Sequence, residues 1–449
     1  MTGDRNRAFE WAVIGFVLLA MTLGGASRDN APQDLVLRLA AVGLGLWSFM
    51  RIAADPAREP ITGAALWLVL GVLMLPLVQL IPLPPELWAA LPGRRVWAEE
   101  MAGLGLPAVW RPLSLTPGAT LDAFAGLLPP AAAFLAALAL PARGRLRVVV
   151  AVLAFAMLSV LIGAVQLAGG SGSALRVYEH TNSHAAVGLF SNKNHFALLQ
   201  LIAIPLAAFL AEPFARKGAA WGPRALMGTA IAVLIAGVAI SGSRTALVLL
   251  VPAVLGVVAI HLKTGGSGHS RAASALGLVA MIGAAVAVVG AAGAWTALPH
   301  FGQALEGDVR FEIWRETLDL IVTHAPLGAG GGAFPALYQT IETPQMLTPG
   351  LINHAHNDWL EIALEYGVAG LAAVVAGLWL LIRGVRRAGR RSPLDRSLAL
   401  HGGLALALIC AFSLGECPLR AAALSVLAAL LLGAMTVGAP GERPVRPSR

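Results

Sequence analysis

Asn353-His354-Ala355-His356-Asn357-Asp358-Trp359-Leu360 runs directly into an apolar stretch, Glu361 to Ile382. Two histidines, two carboxamides and an acid thus stand at the mouth of a run long enough to cross a bilayer. Ionisable groups there are costly to hold and mark function. The junction reads as the reaction centre of a membrane protein.

The rest of the chain agrees. Of 449 residues 57% are hydrophobic and 12% charged, too apolar for a surface that must face water on all sides. Runs matched to a hydrocarbon core of roughly 30 Å fall at 9–26, 35–54, 62–83, 120–140, 146–168, 195–211, 224–240, 244–262, 273–294, 361–382, 398–414 and 420–438. The fold expected is an all-α polytopic membrane protein of about twelve helices, one integral domain over 1–449. The first run lacks a small-residue cleavage site and is read as a retained helix.

Lys and Arg stay on the cytoplasmic side of short loops. With the N-terminus inside, 21 of the 32 basic residues are cytoplasmic, and so are both termini and the tail 439–449. That bias accounts for most of the net charge of +8, so no nucleic-acid partner is needed. Cys410 and Cys417, seven apart, would point the same way on one helix, and neither a disulfide nor a metal site is expected from them.

Under this orientation the sixth, eighth and tenth spans begin outside. Their starts carry the polar clusters Phe190-Ser191-Asn192-Lys193-Asn194, Ser241-Gly242-Ser243-Arg244 and the His354 region. Helix N-termini present free N–H groups and favour anions. Asn192 or Asn194, Ser241 or Ser243, and Asn353 or Asn357 are also N-cap residue types, which is the plainer explanation for them. Arg244 has no acid beside it in sequence, and its guanidinium matches phosphate oxygens. Arg310 and Arg315 lie on an amphipathic helical stretch, Asp308 to Val322, where Glu306, Glu312 or Asp319 at helical spacing offers either a local partner.

His356 suits a general base, because neutral imidazole accepts a proton near neutral pH. His354 is two residues away, so the two rings diverge and do not chelate one metal; no third ligand stands at zinc-like spacing. Gly328 to Gly332 lacks the Lys-Ser/Thr ending of a nucleotide loop and reads as a turn permitting close approach. In the outer segment Pro84 to Gly118, Trp88, Trp97 and Trp110 suit a membrane interface, and Pro129-Pro130 should kink the fourth span.

His356-Asn357, nine residues, then Gly367-Val368-Ala369-Gly370 resembles the H-[NSQ]-x9-GxxG pattern of bacterial O-antigen ligases. The clusters at 190–194 and 241–244, with Arg310-x3-Trp314 and Gly328-x-Gly330, resemble further motifs of the wider O-antigen ligase and polymerase superfamily, in order over 185–375. Arg94-Arg95 and Trp110 to Pro117 look more like exopolysaccharide polymerases of that superfamily.

The resemblance implies a metal-independent, cofactor-free inverting glycosyltransferase related to the C-type fold, in the bacterial inner membrane. Its donor would be a glycan on undecaprenyl pyrophosphate, used on the periplasmic face, with a large periplasmic segment at 295–360 between the ninth and tenth spans. His356 would activate the acceptor hydroxyl, on lipid A core or a growing glycan, while Arg244 and Arg310 hold the pyrophosphate. Asn192, Asn194, Ser243, Asn357 and Arg315 would support them. A transporter or lipid-linked glycan flippase is the competing class; it calls for related halves and charged mid-membrane helices, and no repeat is evident here.

Overall fold

A computed structural model describes residues 2–26, 31–55, 60–216, 221–264, 309–343, 351–388 and 392–436, with Gly283. The expected span 273–294, the stretch 295–308 and the tail 439–449 lie outside the described residues apart from that glycine.

Among the described residues nine helices are long and apolar enough to cross a membrane, and two shorter apolar helices, Ala225–Ser241 and Ala422–Thr436, accompany them. Together they account for eleven of the expected runs. The chain is a multi-pass, all-α membrane protein. In chain order the helices are α1 (Thr2–Leu23), α2 (Ala31–Ala53), α3 (Pro60–Gln79), α4 (Pro85–Ala90), α5 (Arg95–Gly103), α6 (Pro117–Ala139), α7 (Ala142–Ala168) and α8 (Lys193–Arg216). Then follow α9 (Trp221–Ser241), α10 (Arg244–Thr264), α11 (Arg310–His324), α12 (Phe334–Tyr338), α13 (Asp358–Ala388), α14 (Pro393–Phe412) and α15 (Ala422–Thr436).

Hydropathy sets the length of these helices, but the exposed faces show how they are used. On α13, Val368, Leu371, Val375, Trp379 and Ile382 recur at helical spacing and are exposed, while Gly370, Leu380, Gly384 and Ala388 are buried. An apolar outer stripe with small residues inward is the pattern of a helix that faces lipid and packs closely on its neighbours. The helix α8 is the most enclosed, packed by α9, α10 and α14, and α6 packs between α2 and α15. Pro129 and Pro130 sit within a single α6 helix, although each removes a backbone donor.

A second, smaller apolar core caps one end of the bundle. It joins Ile313 and Leu320 of α11, Phe334, Leu337 and Tyr338 of α12, Ala329, Ala333, Ala355 and Leu364, with Trp97 and Leu115 packed against it. The segment 84–118 therefore packs onto the 309–343 segment. Trp88 departs from the interface expectation: it is buried, and its indole N–H donates to the Pro112 carbonyl at 2.8 Å, whereas Trp110 stays exposed. Beneath it, β1 (Pro82–Leu83) pairs antiparallel with β2 (Arg111–Pro112).

Two devices hold this cap, one within it and one between it and a membrane helix. Arg94 is completely buried and donates to the carbonyls of Pro92, Leu113 and Gly328 at 2.7, 2.8 and 2.8 Å. Burial pulls its pKa down to about 10, still cationic at neutral pH. Arg94→Ala should cost about 3 kcal/mol, the scale of lost charge-assisted hydrogen bonds. The exposed neighbour Arg95, paired with Glu99, should cost under about 0.5 kcal/mol as Ala. Thermal unfolding of the two purified variants checks the contrast, and equal melting points would reject it.

The second device is a break in α13. Gly367 adopts φ 56° and ψ −144°, so the helix is two pieces meeting at that residue. The glycine turn fills the break: the amides of Ala329 and Gly330 donate to the freed carbonyls of Leu364 and Glu365 at 2.8 and 3.0 Å, and Val368 N–H donates to Pro326 at 2.9 Å. A Cβ on Gly367 would lie 2.0 Å from the Pro326 carbonyl, and one on Gly328 would lie 2.5 Å from that of Glu365. Close approach is thus the reason for glycine at both positions.

Candidate active site

The polar starts of α8, α10, α11 and α13 converge. Asn192 accepts from Asn194 N–H at 2.8 Å, Ser243 from Ala246 N–H at 3.4 Å, and Asn357 from Trp359 and Leu360 N–H at 3.0 and 3.2 Å. These three side chains cap their helices, the plainer of their two readings. Asn194 differs, because its amide donates to Glu416.

Glu416 is the hub. It lies in the turn between α14 and the 3₁₀ turn Pro418–Arg420, with its side chain 1% exposed. One carboxylate oxygen accepts from Arg310 and Asn194; the other meets His356 Nδ1 at 3.2 Å. Burial alone would raise its pKa, but the His356 hydrogen bond and the Arg310 charge outweigh burial and hold it below the usual carboxylate range. Glu416 is therefore ionised at neutral pH and can only accept. His356 Nδ1 must then carry the proton, leaving Nε2 as the basic nitrogen.

The backbone spends energy to make this contact. His356 has φ 52°, the only non-glycine residue with positive φ among those described. That conformation costs on the order of 1–2 kcal/mol. Trp314, one turn along α11 from Arg310, donates its indole N–H to the Ala355 carbonyl at 2.9 Å and so anchors the strained loop.

Lys193 and Arg244 complete the cluster. Lys193 Nζ lies 3.4 Å from the Gly242 carbonyl in the turn preceding Arg244, and it feels the charges of Arg244, Glu416 and Arg310 together. Among the described residues three cations, Lys193, Arg244 and Arg310, gather near the Glu416 carboxylate, beside a 34%-exposed imidazole. Such a cluster can hold a diphosphate while the imidazole takes a proton.

Arg315 stands apart from this cluster: 71% exposed, it pairs with Glu312 one turn back, the local partner its spacing allowed. His354 turns the other way from His356. Its Nδ1 lies 3.2 Å from Glu361 Oε2, and Glu361 Oε1 accepts from Ala355 N–H at 2.8 Å. Arg420 bridges Glu361 and Glu365 at 3.0 and 2.8 Å.

His354, Glu361 and Cys417 bring donor atoms within 4.8 Å of one another, a convergence not foreseen from sequence. The oxygen of Glu361 that faces His354 already receives the Arg420 guanidinium, which supplies the positive charge a cation would bring. Cys410 and Cys417 do not share a helix, contrary to expectation, because α14 ends at Phe412; both are free thiols.

With this geometry in hand, the comparison with known families bears on one region: a family model described as O-antigen ligase matches residues 228–375. That stretch is similar to the O-antigen ligase family. No curated protein matches the chain. The family region contains Arg244, Arg310, Trp314, the glycine turn, His356 and the Gly367 break, so the resemblance read from the motifs is borne out. Glu416, Lys193 and Arg420 lie outside it, and sequence reasoning assigned none of them a role. The signal available for Glu416 was a lone acid in the short gap Ser413 to Arg420 between two apolar runs.

Proposed function

We propose that this O-antigen ligase-type membrane enzyme transfers a glycan from undecaprenyl pyrophosphate to an acceptor hydroxyl on the periplasmic face of the cytoplasmic membrane, with both termini cytoplasmic. The observation that carries the reading is the Glu416 hub, which holds His356 and Arg310 through one carboxylate with Arg244 and Lys193 beside it.

His356 Nε2 accepts the proton of the acceptor hydroxyl as that oxygen attacks the anomeric carbon. The bond from that carbon to the pyrophosphate oxygen breaks, and its electron pair leaves with the diphosphate. Arg244, Arg310 and Lys193 stabilise the charge that develops there, as preorganised donors do in a partly dry site. Glu416 stabilises the imidazolium, and the proton then passes to the released diphosphate or to water. Attack opposite the leaving group inverts the anomeric centre.

A ligase and a polymerase share these steps and differ in the acceptor. Proteoliposomes given lipid-linked glycan and either lipid A core or more lipid-linked glycan separate them: a single shift of the core means ligase, a ladder means polymerase. Transfer to neither acceptor overturns the reading. Arg244→Ala should lower kcat/KM about 10²-fold, the scale of one lost transition-state donor.

A further inference from the structure

A cavity of about 830 Å³ lies on the other side of the His354–His356 loop from the cationic cluster. It opens between the starts of α2, α6, α13 and α15, and His354 lines it while His356 does not. Sequence proximity keeps the two compartments close: two residues span at most about 7 Å.

Their chemistry is opposite. Asp34, Asp122, Asp358, Glu361 and Glu365 all line the cavity, against two guanidiniums, Arg38 and Arg420. Arg38 is matched at 3.6 Å by Asp122, and Arg420 is held between Glu361 and Glu365. Among the described residues no lysine lines it. A wall with more carboxyl groups than guanidiniums disfavours a phosphate.

What the cavity offers instead is hydrogen-bond acceptors and apolar surface. Besides the exposed Asp122 carboxylate, Gly126, Pro129 and Pro130 line the wall. Pro130 has no N–H, so the Gly126 carbonyl four residues back has lost its helical donor. The Tyr366 ring forms another part of the wall, and its hydroxyl takes no partner among the described residues. Acceptors spread among aromatic and aliphatic surface match a ligand rich in hydroxyl donors and lacking negative charge.

We infer that this cavity seats the acceptor as an uncharged or amino-bearing glycan and rejects a phosphorylated one, while the Lys193–Arg244–Arg310 side receives the diphosphate. The assignment rests on the transferase reading above and narrows its acceptor.

Binding is read separately from transfer. The glycan released from the cell's lipid-linked pool, in its neutral form and after chemical phosphorylation at one hydroxyl, is titrated by calorimetry into the full-length protein in nanodiscs. The neutral glycan should bind at least tenfold tighter. Asp122→Lys, at a side chain 76% exposed and therefore tolerant of change, should shrink that ratio at least threefold. His356→Ala should leave the ratio unchanged. Equal affinities, no binding of the neutral form, or an unaltered ratio in Asp122→Lys overturns the inference. Normal discrimination in binding with no glycan transfer by the wild type instead overturns the transferase reading alone.

Discussion

His356→Ala should lower glycan transfer by about 10³-fold or more while leaving protein abundance and melting temperature close to wild type. A positioned general base contributes about 10²–10⁴-fold, and His195, the other imidazole that feels Glu416 among the described residues, is buried out of reach of an acceptor. Alanine keeps the Cβ, so the left-handed backbone at position 356 costs the variant about what it costs the wild type. Stability should therefore not fall with activity. Initial rates in proteoliposomes, with quantified protein, decide the matter, and a variant retaining a tenth of wild-type activity would remove His356 from the catalytic role.

Glu416→Gln should reduce transfer by about 10³-fold, the second largest effect. The amide keeps the shape but loses the charge that fixes the His356 tautomer, balances Arg310 and stabilises the imidazolium. Partners of this kind contribute about 10- to 100-fold through orientation alone, and loss of the charge adds to that. The pH dependence supplies a second readout. Glu416 has a folded-state pKa below its ordinary value, so its stabilising contribution is complete above that ordinary value and disappears as pH falls through the lowered one. Wild-type stability should accordingly decline on the acid side of the usual carboxylate range, and Glu416→Gln should flatten that decline. An unchanged acid limb, or activity within fivefold of wild type, would sink the proposed hub.

The membrane helices were legible because length and hydropathy are local properties: eleven of the expected runs coincide with described helices. His356, Arg244 and Arg310 were legible for a different reason, since each begins a helix or directly precedes one and sits in a short polar motif. Partnership was not legible. Glu416 meets His356 across 60 residues, Arg310 across 106 and Asn194 across 222, separations over which periodicity carries no information. Arg315 shows the converse: its partner is three residues away, and local spacing found it. The Gly367 break was hidden because Gly367-Val368-Ala369-Gly370 has the composition of any small-residue span interior. Only the approach of the distant glycine turn distinguishes it.

That break bears on how the protein can be dissected. Because Ala329 and Gly330 complete their hydrogen bonds on carbonyls of α13, the extramembrane cap has no self-sufficient backbone of its own. A water-soluble fragment cut from it would expose those amides, and a chimera that grafts the cap of one relative onto the helices of another must carry both halves of the joint. Recombination breakpoints between homologous genes should therefore avoid separating the codons of residues 326–332 from those of 364–368.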